Sequence, residues 1–170
     1  MTEPMKYGQT EFEVHLPPEL IAAELEPNQV DLPQRTTAEH IRWALDHPID
    51  SAPLKELVKA GDKVCVVISD VTRRWQAPDT YLPILIGELE AAGVRDEDIL
   101  ILSATGTHRR QTEEEHIGLV TKPVYDRIRV EDHVCTDQDN LAYVGTTSRG
   151  TPVWLDKRAL ACDKIILTGG

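Results

Sequence analysis

Two short cationic turns hold the residues of this chain best suited to chemistry. The first, Ser69-Asp70-Val71-Thr72-Arg73-Arg74, follows the apolar run 64–68. The second, Ser103-Ala104-Thr105-Gly106-Thr107-His108-Arg109-Arg110, follows the apolar run 99–102. An imidazole titrates near neutrality, so a histidine such as His108 suits proton acceptance and return. Gly106 permits close approach of backbone to a ligand, and Arg109 is placed to hold an anionic substrate or to pair with Glu113 or Glu114. Asp70, Thr72 and Arg73 set a carboxylate, a hydroxyl and a guanidinium within four residues. Arg73 suits bidentate binding of phosphate or carboxylate, with Thr72 and local amide groups completing an anion cradle. A plainer reading stands beside each: Asp70 and Arg73 form a self-contained ion pair, His108 is structural, and the tandem arginines are solvated surface charges.

Other chemistries lack a motif. His116 lies eight residues beyond His108, which is not a metal-ligand spacing. His133, near Asp132 and Asp137, either lines the same crevice or is a hydrogen-bonded surface residue, and the second reading is preferred. His15, His40 and His47 fall in the proline-rich first part and look incidental. The chain has no HExxH, paired CxxC, EF-hand loop, Walker loop or GxSxG elbow, so no autonomous metal site and no covalent nucleophile is expected. Cys65, Cys135 and Cys162 are expected to be free thiols, two of them buried in apolar runs, as suits a reducing cytoplasm.

The elements that must position these turns are legible from periodicity. The 170 residues fit one domain with a sizeable core, and 41% hydrophobic with 28% charged residues is ordinary for a globular chain. A net charge of -11 argues against nucleic acid and anionic membranes as partners. No charged-then-apolar leader or membrane-length apolar run is present, so a cytoplasmic location is expected. Residues 1–62 hold a short strand at 11–16, a helix capped by Thr36 or Thr37 and ended by Pro48, and a short helix at 54–59. This part is expected to pack onto a strand-helix core at 63–170. There, strands are predicted at 64–68, 99–103, 128–134, 141–144, 152–155 and 164–167. Helices are predicted at 79–92, with Pro83 in the first turn, from Thr112 with Glu115 completing a capping box, and at 156–161. Alternation of this kind predicts an α/β fold, Rossmann-like, with a largely parallel sheet flanked by helices and a small irregular N-terminal segment. Ligands of such sheets bind outside the carboxyl ends of the strands, where both turns fall.

The two turns, with Glu114 after the second, resemble the N-terminal domain of nickel-dependent lactate racemase and its homologues. Val144-Gly145-Thr146-Thr147, Gly150-Thr151-Pro152-Val153, Ala161-Cys162-Asp163 and Ile165 to Gly170 extend the resemblance in order from about Lys63 to the last residue. It implies a nickel-pincer mononucleotide cofactor, a pyridinium ring whose two thio-acyl arms hold the metal, contacted by Asp70, Val71, Thr72 and Arg73. It also implies that His108 is one of two acid/base histidines, taking the hydroxyl proton of a 2-hydroxy acid during hydride transfer. Arg74 departs from the family pattern, which has proline there.

Thr168-Gly169-Gly170 follows a strand predicted to be buried and central, where an α/β chain normally continues. The expectation is therefore an N-terminal half whose C-terminal domain is missing. In the family the following segment carries the second histidine, a lysine bonded to the cofactor, and the nickel-ligating histidine. The 170 residues alone are then expected to be inactive and to bind nickel weakly. The alternative is a non-catalytic α/β module that binds a nucleotide or an anionic metabolite.

Overall fold

The computed structural model describes residues 2–31 and 33–169. Gly170, the last residue of the predicted Thr-Gly-Gly turn, lies outside them. The chain divides into two compact units, Met1–Gln34 and Arg35–Gly170. In the first, β1 (Thr2–Tyr7) and β2 (Thr10–His15) form an antiparallel hairpin. The sequence predicts only the second strand because Pro4 interrupts the first. A two-stranded ribbon tolerates proline, since every strand in it has a free edge.

The second unit opens with α1 (Thr37–Asp46) and α2 (Leu54–Leu57). Thr36 caps α1 through a full capping box with Glu39. Both helices pack on α3 (Pro78–Ala91), which follows β3 (Val64–Ser69) and a 3-10 turn at Val71–Gln76. Helix α3 starts one residue before the predicted start, at Pro78, which corrects the place of Pro83. Pro83 lies inside the helix rather than in its first turn, so a carbonyl one turn back loses its amide donor. β4 (Ile99–Ala104), α4 (Glu113–Val120), α5 (Lys122–Tyr125) and β5 (Arg129–His133) complete the alternation. Thr112 and Glu115 form the predicted capping box on α4.

Past β5 the chain departs from strict alternation. β6 (Leu141–Thr146) and β7 (Pro152–Asp156) pair antiparallel as a separate ribbon, so they add nothing to the predicted parallel sheet. α6 (Lys157–Leu160) then leads to β8 (Lys164–Leu167). The parallel sheet has the order β5-β4-β3-β8. Its topology reverses between β3 and β8, as in a doubly wound sheet.

That reversal gives the sheet two unequal faces. The crossovers from β3 to β4 and from β4 to β5 place α3, α4 and α5 on one side. Their Leu82, Leu85, Ile86, Leu89, Leu119 and Val124 join Val64, Val66, Ile68, Ile99 and Ile101 in the main core. Each such side chain contributes about 1.5–3 kcal/mol by leaving water. The return to β8 crosses the other face with one short helix, and there Ala159 of α6 joins a smaller cluster with Cys65, Leu100 and Leu102, edged by Val67 and Cys162. β8 is accordingly an exposed edge strand and not the buried central one predicted; Leu167 is 78% exposed. Cys65 is buried while Cys162 is partly covered and Cys135 exposed, so one thiol rather than two is fully enclosed. Burial pushes the Cys65 thiol up to about 12.

Candidate functional site

Parallel pairing of β3 with β4 sets Ser69 beside Ala104 and so brings the two turns together at one sheet edge. Beyond β3, Asp70 caps the 3-10 turn: its Oδ1 accepts from the Thr72 amide at 3.2 Å and from the Thr72 hydroxyl at 2.6 Å. Beyond β4, the His108 amide donates to the Thr105 carbonyl at 2.9 Å, closing a tight turn. Gly106 has φ +60 in that turn, a conformation that disfavours residues with a Cβ. Thr105 is buried, and its hydroxyl donates to the carbonyl of His133, which fixes the base of the turn to β5.

The turns meet through chemistry that spacing alone left open. His108 Nδ1 lies 2.5 Å from Asp70 Oδ2. The Asp70 side chain is 5% exposed and that of His108 is 50% exposed. Burial acts to raise the Asp70 pKa, but hydrogen bonds from Thr72 and His108 outweigh it and hold the carboxyl below its ordinary value. An ionised Asp70 accepts the Nδ1 proton, which leaves the Nε2 lone pair free on the neutral imidazole. The Asp70–Arg73 ion pair is not formed.

The four arginines of the turns separate into different uses. Arg73 makes no ion pair among the described residues; its Nη1 lies 3.4 Å from the Thr72 hydroxyl. Arg109 holds Glu115 with both arms of its fork, at 2.8 and 2.6 Å, rather than Glu113 or Glu114. That pair, with the Thr112 amide, draws the Glu115 carboxyl down to about 2. Arg74, in the position of the usual proline, lays its guanidinium over Gly118 of α4, where a Cβ would come within 3.3 Å of Nη1. Arg110 is exposed.

A family model described as the lactate racemase N-terminal domain matches residues 7–170. The chain belongs to that family. It is 31% identical over 132 residues to the lactate racemase of Lactiplantibacillus plantarum, covering 77% of this chain and 30% of that protein. To the lactate racemase of Thermoanaerobacterium thermosaccharolyticum it is 26% identical over 164 residues, covering 96% of this chain and 38% of that one. The structure of that racemase's apoprotein superposes with a TM-score of 0.78 at 26% identity, over 98% of this chain and 38% of the other. A Thermotoga maritima protein shares the fold, with a TM-score of 0.60 at 24% identity over 77% of this chain and 33% of that chain. The chain thus spans about a third of the length of the relatives it matches.

Behind the surface turns of the domain lies a buried polar layer absent from the sequence expectations. His116 Nε2 is 2.8 Å from Asp132 Oδ1, and the two side chains are only 11% and 4% exposed. Asp132 also accepts from the amide and the side chain of Gln111. Desolvation raises the Asp132 pKa, but the bonds from His116 and Gln111 bring it below the ordinary value. Asp132 therefore serves His116 and not His133. The partner of His133 is Asp156, 3.0 Å from its Nδ1, which Arg158 and His133 hold down to about 2 against the opposing effect of burial. His116 is the fourth residue of a capped helix and Asp132 shares its strand face with Val130, which hints that each is covered but not that they meet.

Among the described residues, no group of three His, Cys, Asp or Glu side chains is placed to hold a metal ion. No helix among them is long and apolar enough to cross a membrane. A pocket of about 550 Å³ lies beside β8 between Gln76, Tyr81, Thr168 and Gly169, and His108 is not among its lining residues. Its rim is close to the point where strand order reverses. Gly169, at φ +125, passes so near Ser69 that a Cβ would meet its Oγ at 3.1 Å.

Proposed function

We propose that this domain is the acid/base and cofactor-receiving part of a racemase or epimerase of a lactate-like 2-hydroxy acid. The observation that carries this reading is the bond from His108 Nδ1 to Asp70 Oδ2 at 2.5 Å, which joins the two turns and leaves Nε2 open to solvent. His108 Nε2 accepts the substrate hydroxyl proton as the hydride leaves the adjacent carbon, giving a 2-oxo acid. Return of hydride and proton from the opposite face inverts the centre, which calls for a second acid/base group on that face. Asp70 orients the imidazole and stabilises the imidazolium formed during transfer. A base in such a position contributes about 10²- to 10⁴-fold in rate.

The nickel-pincer mononucleotide implied by the family resemblance supplies, when bound, the hydride acceptor that no side chain provides. The turn fits the anionic end of such a nucleotide. Arg73 is a guanidinium without an ion-pair partner among the described residues, and Thr72 adds a hydroxyl beside it. The described residues offer no ligand set for the metal itself, so Thr72 and Arg73 would hold the anionic group and Val71 would shape the turn by its backbone. Asp70 is expected from the resemblance to contact the cofactor, but its oxygens bond to His108 and Thr72, so in this reading it serves the base. Arg109 would reach a substrate carboxylate only by releasing Glu115.

The test uses the full-length gene product loaded with cofactor and offered D- and L-2-hydroxy acids. His108→Ala is expected to lose at least about 10²-fold in exchange while retaining cofactor; wild-type rates in that variant would sink its assignment. Arg73→Ala is expected to weaken cofactor retention. Ligand binding without any exchange by the wild-type protein would establish the binding-module alternative instead.

A further inference from the structure

Gln111 occupies the joint between the exposed turns and the buried polar layer, and its backbone amide and both side-chain polar atoms have partners. Its backbone amide donates to Asp132 Oδ2 at 2.7 Å. Its Nε2 donates to Asp132 Oδ1 at 2.8 Å and to Ser103 Oγ at 2.8 Å. Its Oε1 accepts from the backbone amide of Val71 at 2.7 Å. The amide cannot be turned over, because a flip would set donor against donor at Val71 and oxygen against carboxylate at Asp132.

Val71 is the first residue of the 3-10 turn, and its amide has no partner within that turn. It is also the residue next to Asp70. A side chain from the His108 loop therefore caps the helical turn that carries the carboxylate held by His108. The cap is anchored to an aspartate that is itself tied to a buried histidine. Leucine here leaves the Val71 amide without a partner and removes one donor from Asp132, glutamate faces Asp132 with a second negative charge, and asparagine is one methylene short.

We propose that Gln111 is a positioning residue, holding the Asp70 turn in register with the His108 loop so that Asp70 selects the Nδ1–H form of the imidazole. This rests on His108 being the base of the reaction proposed above, but its first test needs no turnover. In the wild-type protein, ¹⁵N chemical shifts of the neutral His108 ring should report the Nδ1–H tautomer, and the Val71 amide should exchange slowly with solvent. Gln111→Leu should speed Val71 exchange at least tenfold and give a mixture of His108 tautomers. Val124→Ala, which loosens the core beyond this network, should leave the tautomer unchanged.

Fast Val71 exchange in the wild type overturns the proposal whatever the variants do. So does an unaltered His108 tautomer in folded Gln111→Leu. In the full-length gene product loaded with cofactor, Gln111→Leu should lower kcat by about 10–100-fold with little change in KM, as misplacement by about an ångström does. A wild-type protein that shows the tautomer and protection pattern but no racemisation would refute the reaction and leave the positioning role standing.

Discussion

His108–Asp70 and His116–Asp132 are the same pair of residue types at the same end of the sheet, yet they differ in how much of each is covered. Both carboxylates are enclosed, at 5% and 4% exposure, while the imidazoles are 50% and 11% exposed. The open pair has one ring nitrogen tied and one free, which suits proton exchange. The closed pair has its carboxylate saturated by His116 and Gln111, which suits fixing one arrangement of α4 on β5. The two His–Asp pairs thus differ in solvent access, in which ring nitrogen is tied, and in the extra bonds that Gln111 makes to Asp132. Removing the carboxylates should show the difference most strongly. Asp132→Ala strands buried donors and should cost about 3–5 kcal/mol, lowering the thermal midpoint by ~10 °C in a domain of this size. Asp70→Ala exposes its donors to water and should cost only about 1 kcal/mol. Equal losses in a thermal melt of the two variants would abolish the distinction.

The open pair was partly legible in the sequence and the closed pair was not, for a physical reason. Gly106, His108 and Asp70 interrupt apolar runs at strand ends, where a polar residue has no packing role and so attracts notice. Asp132 sits in a strand and His116 in a helix, and nothing local reveals that β5 and α4 bring them to 2.8 Å. Gln111 was invisible for the same reason, since its worth lies in reaching Val71, 40 residues away in sequence. At the level of fold, the helix caps at Thr36 and Thr112 were readable because the capping box is local. The exposure of β8 was not: Ile165, Ile166 and Leu167 have the composition of a buried strand, and only the sheet order and the thin cover of α6 leave them at an edge.

Acid should separate the pairs by a smaller margin. The Asp132 carboxyl titrates below its ordinary value in the folded protein, so the ionised form favours folding. That contribution is fully present above the unfolded pKa near 4 and is lost as pH falls through the lower folded value. Between about pH 5 and pH 2, wild-type stability should therefore fall with acid. Asp132→Asn should start lower and fall less steeply over the same range. Denaturant unfolding at a series of pH values measures both slopes. Parallel curves would mean that His116 and Gln111 do not favour the charged carboxylate. Asp70 has the same direction of shift, so Asp70→Asn should flatten the profile too. The change should be smaller, because its histidine partner is half in water.

The smallest effect belongs to the ion pair outside both. Arg109 and Glu115 meet in a bidentate geometry, but the guanidinium side chain is 67% exposed and water competes for every contact. Arg109→Gln should barely move the thermal midpoint at moderate salt. The capping box survives the change, because Glu115 still accepts from the Thr112 amide. Any functional loss in Arg109→Gln would then have to come from its role toward a ligand. In the full-length gene product, a raised KM for the 2-hydroxy acid with unaltered stability would assign Arg109 to the substrate carboxylate. Unchanged KM would leave it as a surface latch on α4, and the open His108–Asp70 pair would owe nothing to the cation beside it.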